Sequence, residues 1–177
     1  MKLPGDLPRE HEVARMIRVD HAGEYGAARI YAGQLAVLGG GPQEGVLRHM
    51  AAQEQQHLER FQALLVRRRV RPTALMPFWH VAGFALGAAT AALGAHAAMA
   101  CTVAVEEAID RHYAAQADAL DETEAELKDT IEVFRAEELE HRAIGLEHGA
   151  EQAPGYRLLK AAITVGCRVA IALSERV

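Results

Sequence analysis

The chain has 177 residues, enough for one domain with a full hydrophobic core, and no stretch reads as a linker between two. Half of it is hydrophobic but only 5% is aromatic, and alanine is abundant, which favours closely packed helices over sheets. A net charge of −5 leaves no nucleic-acid footprint, and Cys101 and Cys167, inside apolar runs without a CxxC partner, read as core thiols compatible with a reducing compartment.

The N-terminus has neither a cationic segment followed by an apolar run nor an Arg-rich presequence, which predicts a cytosolic start or a chain already trimmed. Asp6-Leu7-Pro8 is a helix start, with a capping carboxylate and a proline in the first turn. Val13, Ile17, Ala28, Tyr31, Leu35 and Leu38 recur at three- and four-residue steps until Gly39-Gly40-Gly41-Pro42, so the first helix spans about 8–38 and carries Glu24. Gly23, Gly26 and Gly33 each cost this helix about 1 kcal/mol of propensity. Another backbone or a ligand is therefore expected close by, with Gly23 the glycine associated with a site.

A second helix, about 43–67, places Val46, Leu47, Met50, His57, Leu58, Phe61, Leu64 and Leu65 mostly on one stripe and ends among Arg67, Arg68, Arg69 and Arg71. His57 among apolar neighbours is unusual for a solvated residue, and Glu54 three positions earlier makes a ligand role the better reading. From Ala74 to Val105 only His80 and His96 interrupt an apolar, glycine- and threonine-containing run. Its length would permit a membrane span. Pro77 and Gly94 break it, however, and it must deliver the chain into the helix that carries Glu106, so it reads as a crossover over about 73–94. Two readings of this crossover stay open. It lies in a membrane interface with the neighbouring arginines toward headgroups, or it packs on the bundle or at a dimer contact.

A helix over about 95–120 brings Val103, Glu106, Asp110 and Tyr113 to one side, while Glu107 points about 100° away. Asp110 competes with Glu106 for a ligand role, as Asp20 does with Glu24. Tyr31 follows Glu24 by seven residues and Tyr113 follows Glu106 by seven, positions for hydrogen-bond partners, redox groups or satisfied core tyrosines. Asp121 with Glu124 is a capping pattern for a helix over about 121–148, which aligns Ile131, Phe134, Glu138, His141 and Gly145 and leaves Glu137 and Glu140 off the stripe as solvent-facing charge. After Pro154-Gly155, residues 156–173 are apolar nearly all round and call for cover from the crossover, a second subunit or lipid.

The chemistry lies in a repeat. Glu54-x-x-His57 and Glu138-x-x-His141 each put a carboxylate and an imidazole on one helix face, and each follows a lone glutamate, Glu24 or Glu106, by some thirty residues. About one Glu-x-x-His pair would arise by chance in this composition, so the weight rests on the repeated order. Four Glu and two His are the ligand set of ferritin-like di-iron and di-manganese bundles. Hard oxygen donors with some nitrogen suit iron or manganese, and four carboxylates offset the charge of two divalent ions. Ferroxidase, peroxide dismutase, radical generator and monooxygenase all use such a box, so the ligands alone leave the reaction open.

The segments RVDHAGEYGAARIYAGQLAVL (18–38), EQQHLERF (54–61), RVRPTALMPFWHVAGFALGA (69–88), MACTVAVEEAIDRHY (99–113), FRAEELEHRAIGLEH (134–148) and GCRVAIALSER (166–176) closely resemble the demethoxyubiquinone hydroxylase family of coenzyme Q biosynthesis. The likeness covers nearly the whole chain and includes the crossover and tail. It implies a ferritin-like four-helix bundle, all-α, with a long apolar crossover helix and an extra apolar C-terminal helix. It implies Glu24, Glu54, His57, Glu106, Glu138 and His141 as ligands of two iron ions, with Tyr113 and His112 beside the site. The implied reaction is hydroxylation of the ring of a polyprenylated demethoxy-benzoquinol, with O2 as co-substrate and NADH as electron source. Implied partners are the quinol, the membrane surface, an accessory lipid-binding protein and further copies of the chain.

No ligand position departs from the family pattern, but the long N-terminal targeting extension of mitochondrial members is not seen. A peripheral protein on the cytoplasmic face of a bacterial membrane is expected, or on the matrix side of the inner membrane if the chain is a mature mitochondrial form. No GxGxxG dinucleotide fingerprint follows a strand pattern. The competing readings are a ferritin-like ferroxidase or manganese catalase, independent of quinone, and a membrane-docking helical bundle without stoichiometric metal.

Overall fold

The computed structural model describes residues 8–177. Six long helices account for most of them: α1 (Arg9–Leu38), α2 (Glu44–Arg68), α3 (Met76–Ala92), α4 (Ala95–Ala119), α5 (Ala125–Glu147) and α6 (Tyr156–Ser174), and no strand occurs among the described residues. The expected cap at Asp6 lies outside them. Pro77 stands in the first turn of α3 and starts that helix, since the amide it lacks would have no partner there. The break expected at Gly94 is present, at a φ of 115° that a side chain would resist. Asp121 caps a single 3-10 turn by accepting from the Thr123 amide at 3.0 Å. Glu124 does not reach back to complete a capping box; it forms an ion pair with Arg68 at 2.6 Å.

Two antiparallel pairs, α1 with α2 and α4 with α5, form the four-helix core, while α3 lies on α1 and reaches α4, and α6 lies on α4 and reaches α1. The core splits along the bundle axis. Val13, Ile17, Phe61, Leu64, Leu65, Tyr113, Leu127 and Ile131 fill one end. Tyr31, Leu47, Met50, Met99, Ala100 and Val103 fill the other. Between them, half-way along four helices, sit Glu24, Glu54, Glu106 and Glu138.

The crossover packs on protein along one face. A Cβ at Gly87 would stand 1.9 Å from the Ile30 carbonyl oxygen, and one at Gly33 would stand 2.2 Å from the Phe84 carbonyl oxygen. Bare glycine is what lets the backbones of α1 and α3 touch. Tyr25 and His80 add a 2.6 Å hydrogen bond, and Trp79 Nε1 on α3 donates to Ser174 Oγ on α6 at 3.1 Å. Gly23 differs from the expectation: nothing lies within 4 Å of where its Cβ would be, so it neither admits a backbone nor lines a site.

The outer face of α3 stays bare at Phe78, Val81 and Leu93, and α6 buries only Ile163 and Ser174 while exposing Leu158, Val165, Val169 and Leu173. No described helix is long and apolar enough to cross a membrane. Of the four arginines expected to face headgroups, Arg67 and Arg68 are paired instead with Glu126 and Glu124 across the α2–α5 seam.

Candidate metal centre

Glu24 on α1, Glu54 and His57 on α2, Glu106 on α4, and Glu138 and His141 on α5 converge at the middle of the bundle, none more than 1% exposed. Two overlapping quartets emerge, each offering ligand atoms within 4.8 Å of one another: Glu24, Glu54, His57 and Glu138, and Glu54, Glu106, Glu138 and His141. Glu54 and Glu138 belong to both. This follows from the helical period, because a residue three positions along returns to the same face one turn higher, and the two hairpins present that face to each other.

Both imidazoles turn Nδ1 inward. His57 Nδ1 lies 3.3 Å from Glu24 Oε2 and 3.2 Å from Glu138 Oε1; His141 Nδ1 lies 3.1 Å from Glu54 Oε1 and 3.4 Å from Glu138 Oε2. These approaches are close but lack hydrogen-bond geometry. Both His Nδ1 atoms, both oxygens of Glu54 and of Glu138, and Oε2 of Glu24 and of Glu106 are buried without a partner. A buried polar atom without a partner costs about 1–3 kcal/mol. Eight gathered in one volume could hold metal, and a donor set of carboxylate oxygen and imidazole nitrogen is compatible with iron or manganese ions.

Proton affinities tell the same story. Burial and mutual repulsion push Glu54 and Glu106 well above the usual carboxylate range, and burial raises Glu24 despite His57 beside it. Burial also works against an ionised Glu138, yet its contacts with His141 and His57 prevail and hold it at about 2. His57 is driven down by burial, but Glu138 and Glu24 bring it up to about 10. Without metal the cluster therefore keeps its charge low by holding protons, on the very atoms that would coordinate an ion.

The surrounding partners cross over between the halves. Tyr31 on α1 donates to Glu106 Oε1 on α4 at 2.7 Å, and Tyr113 on α4 donates to Glu24 Oε1 on α1. Burial and the neighbouring carboxylates raise both phenols well above 10, so both remain donors. His57 Nε2 meets Glu137 Oε2 at 2.5 Å, and His141 Nε2 meets Gln53 Oε1 at 3.1 Å. An acceptor at Nε2 fixes the tautomer that frees Nδ1 for a metal.

Other expected residues find partners outside the six. His112 Nε2 faces Asp20 Oδ1 at 3.1 Å and the Gln116 amide at 2.8 Å. Asp20, a competitor of Glu24, is spent on that network, and Asp110 is paired with Arg135 at 2.6 Å. Glu107 is structural, accepting from Arg142 at 3.1 Å and Lys160 at 2.6 Å. Glu140 is exposed as expected. Glu137 corrects the reading of solvent-facing charge, since it backs His57. Gln53, the partner of His141, lies outside the residues that the sequence pattern points to. The available signal was that each residue stands directly before a Glu-x-x-His glutamate.

Cys101 is fully buried, and burial pushes its thiol up to about 12, which makes it an inert core residue. Two surface grooves, of about 460 Å³ between α2 and α5 and about 530 Å³ between α4 and α6, are lined by none of the six cluster residues. A third apolar layer, Ile30, Cys101, Ala104, Val105 and Ile163, lies where α3 and α6 flank α1 and α4.

Comparison with known proteins places these features in one family. The family model described as ubiquinone biosynthesis protein COQ7 matches residues 11–174. The chain is 59% identical to a 3-demethoxyubiquinol 3-hydroxylase of Rhodospirillum rubrum, covering 99% of this chain and 84% of that protein. It is 60% identical to the NADPH-dependent 3-demethoxyubiquinone 3-hydroxylase, mitochondrial, of Homo sapiens, over 93% of this chain and 77% of the human one. With the 5-demethoxyubiquinone hydroxylase, mitochondrial, of Saccharomyces cerevisiae it shares 42% identity over 92% of this chain and 77% of the yeast protein.

Proposed function

The chain belongs to the COQ7 family of ubiquinone biosynthesis proteins, and from that premise we propose that it hydroxylates the ring of a demethoxyubiquinol at a centre of two iron ions. The observation that carries the metal reading is the set of eight partnerless buried atoms on Glu24, Glu54, His57, Glu106, Glu138 and His141. Glu54 and Glu138, common to both quartets, would help to hold both ions, and Glu24, His57, Glu106 and His141 would hold one each. Bound iron supplies the O2 chemistry and the two-electron oxidation that no side chain here can perform.

The chain's own residues do the rest. Tyr31 and Tyr113 each donate to one oxygen of Glu106 and Glu24, which leaves the second oxygen free and fixes the angle of each carboxylate. The packed ends of the bundle keep bulk water from the cluster. A lipid-tailed quinol needs an apolar approach, and the layer of Ile30, Ala104, Val105 and Ile163 between α3 and α6 is the wall it would cross. Phe78, Val81, Leu158, Val165 and Val169, with Arg157 and Arg168 among them, suit a peripheral seat in the headgroup region. That seat is the cytoplasmic face of a bacterial membrane, or the matrix side of the inner membrane for a mature mitochondrial protein. An accessory lipid-binding protein or a second copy of the chain would cover whatever part of these faces lipid does not.

Electrons come from a reduced nicotinamide nucleotide. NADH is the expectation from the sequence, while the human relative is named for NADPH. The described residues hold no strand and so no Rossmann unit, and on them the nucleotide would meet a helical surface. The relatives' names give no support to a ferroxidase or a manganese catalase.

The test is product mass from a short-tailed demethoxyubiquinol with O2 and NADH or NADPH, alongside metal analysis of wild type and Glu106→Ala. Wild type should carry about two iron ions and add one oxygen atom to the ring, and the variant should lose both properties. A variant that hydroxylates like wild type rules out the site.

A further inference from the structure

The two halves of the cluster share one plan of outer contacts but differ in what backs each histidine. Each lone glutamate receives a tyrosine from the opposite half, and each histidine is backed at Nε2 by the residue directly before the opposite glutamate of a Glu-x-x-His pair. For His57 that residue is Glu137, a carboxylate at 2.5 Å. For His141 it is Gln53, an amide oxygen at 3.1 Å. We infer that Glu137 makes the two metal positions unequal, so that the position built on His57 and Glu24 binds its ion more tightly than the one built on His141 and Glu106.

The argument rests on the metal reading above and on the chemistry of an imidazole with two functional nitrogens. A carboxylate accepting from Nε2–H draws that proton toward itself and pushes electron density to Nδ1, making it a stronger donor to a cation. A neutral amide oxygen does so less, and across the longer separation here less again. Glu137 also adds a net negative charge one imidazole away from the ion, which Gln53 does not. Water tempers the difference, because the Glu137 side chain is 36% exposed. The Phe134 ring stacked on His57, with centroids 3.9 Å apart, acts the other way by lowering the polarity around the imidazole. Outer-shell partners of metal-bound histidines typically change metal affinity by about 10–100-fold, and partial exposure puts this case near the lower end. Glu137 is thus a positioning residue, acting through His57.

Metal-free protein is titrated with Co(II) in competition with a chelating dye, comparing wild type, Glu137→Gln and Gln53→Glu. Glu137→Gln keeps an oxygen acceptor of the same shape and removes only the charge. Wild type should bind two ions in steps separated by about 10-fold or more. Glu137→Gln should weaken the tight step by about 10-fold and leave the weak step in place; Gln53→Glu should tighten the weak step and draw the two together. The inference is overturned if Glu137→Gln titrates like wild type, if it weakens only the second step, or if Gln53→Glu fails to tighten either. Should wild type itself bind no Co(II), the metal centre falls, and this inference with it; two ions bound in steps indifferent to both substitutions would sink the inference alone.

Discussion

Replacing Gly87 by alanine tests how the crossover is seated. The new Cβ would stand 1.9 Å from the Ile30 carbonyl oxygen, whereas ordinary contact is 3.4–4 Å, so α3 must withdraw from α1 by more than an ångström locally or α1 must bend. Neither partner in the clash is a flexible side chain. Overpacking of this kind costs about 1–3 kcal/mol, and the helix propensity gained from alanine returns less than about 1 kcal/mol. In a chain of this size each kcal/mol moves the melting temperature by about 2–4 °C. The net loss is at most about 3 kcal/mol, so a fall of up to about 12 °C is expected in thermal unfolding followed by circular dichroism, with both proteins loaded to the same metal content. Gly23→Ala is the control. Nothing lies within 4 Å of its Cβ, so the same chemical change should raise the melting temperature slightly. A Gly87→Ala protein that melts at or above wild type would refute the backbone contact and with it the docking of α3 on α1.

Two further outcomes follow from the cluster itself. Glu138 faces both imidazoles and belongs to both quartets, so Glu138→Ala should retain less metal than Glu24→Ala; equal metal content by elemental analysis would deny Glu138 a part in both positions. In metal-free protein the raised proton affinities of Glu24, Glu54 and Glu106 stabilise the fold below their ordinary value of 4.5, and that contribution fades as pH rises through the folded values. His57 adds a loss of the same sign between its ordinary 6.5 and about 10, while Glu138, held at about 2, contributes no change in that window. The melting temperature of metal-free protein should therefore fall from pH 5 to pH 9, and metal, by displacing those protons, should flatten the slope; a metal-free protein whose melting temperature rises over that range contradicts the protonated cluster.

The sequence by itself determined which segments are helices and which of their faces turn inward. Three- and four-residue spacing of apolar side chains fixes a stripe on each helix, and Glu54, His57, Glu138 and His141 fall on those stripes, where a solvated residue would not. Breakers at Gly39 and Gly94 are equally local, because the extended ψ of 140° at Gly39 and the positive φ of 115° at Gly94 interrupt the helical path without any distant partner. What lies between helices is different in kind. Periodicity gives an angle about a helix's own axis, not which neighbour stands at that angle or how far along it is displaced. Tyr31 was visible as a partner for a glutamate, but that its glutamate is Glu106 on α4 depends on how α1 and α4 are set side by side. Glu137 read as solvent-facing because it lies off the apolar stripe of α5, and only the approach of α2 puts His57 against it. His112 follows the same rule: one residue from Tyr113 in the chain, it points about 100° away and meets Asp20, whereas Tyr113 meets Glu24. Glycines show it most simply, since Gly23 and Gly87 are alike as letters, and only the neighbouring helix decides which of them a methyl group would drive apart.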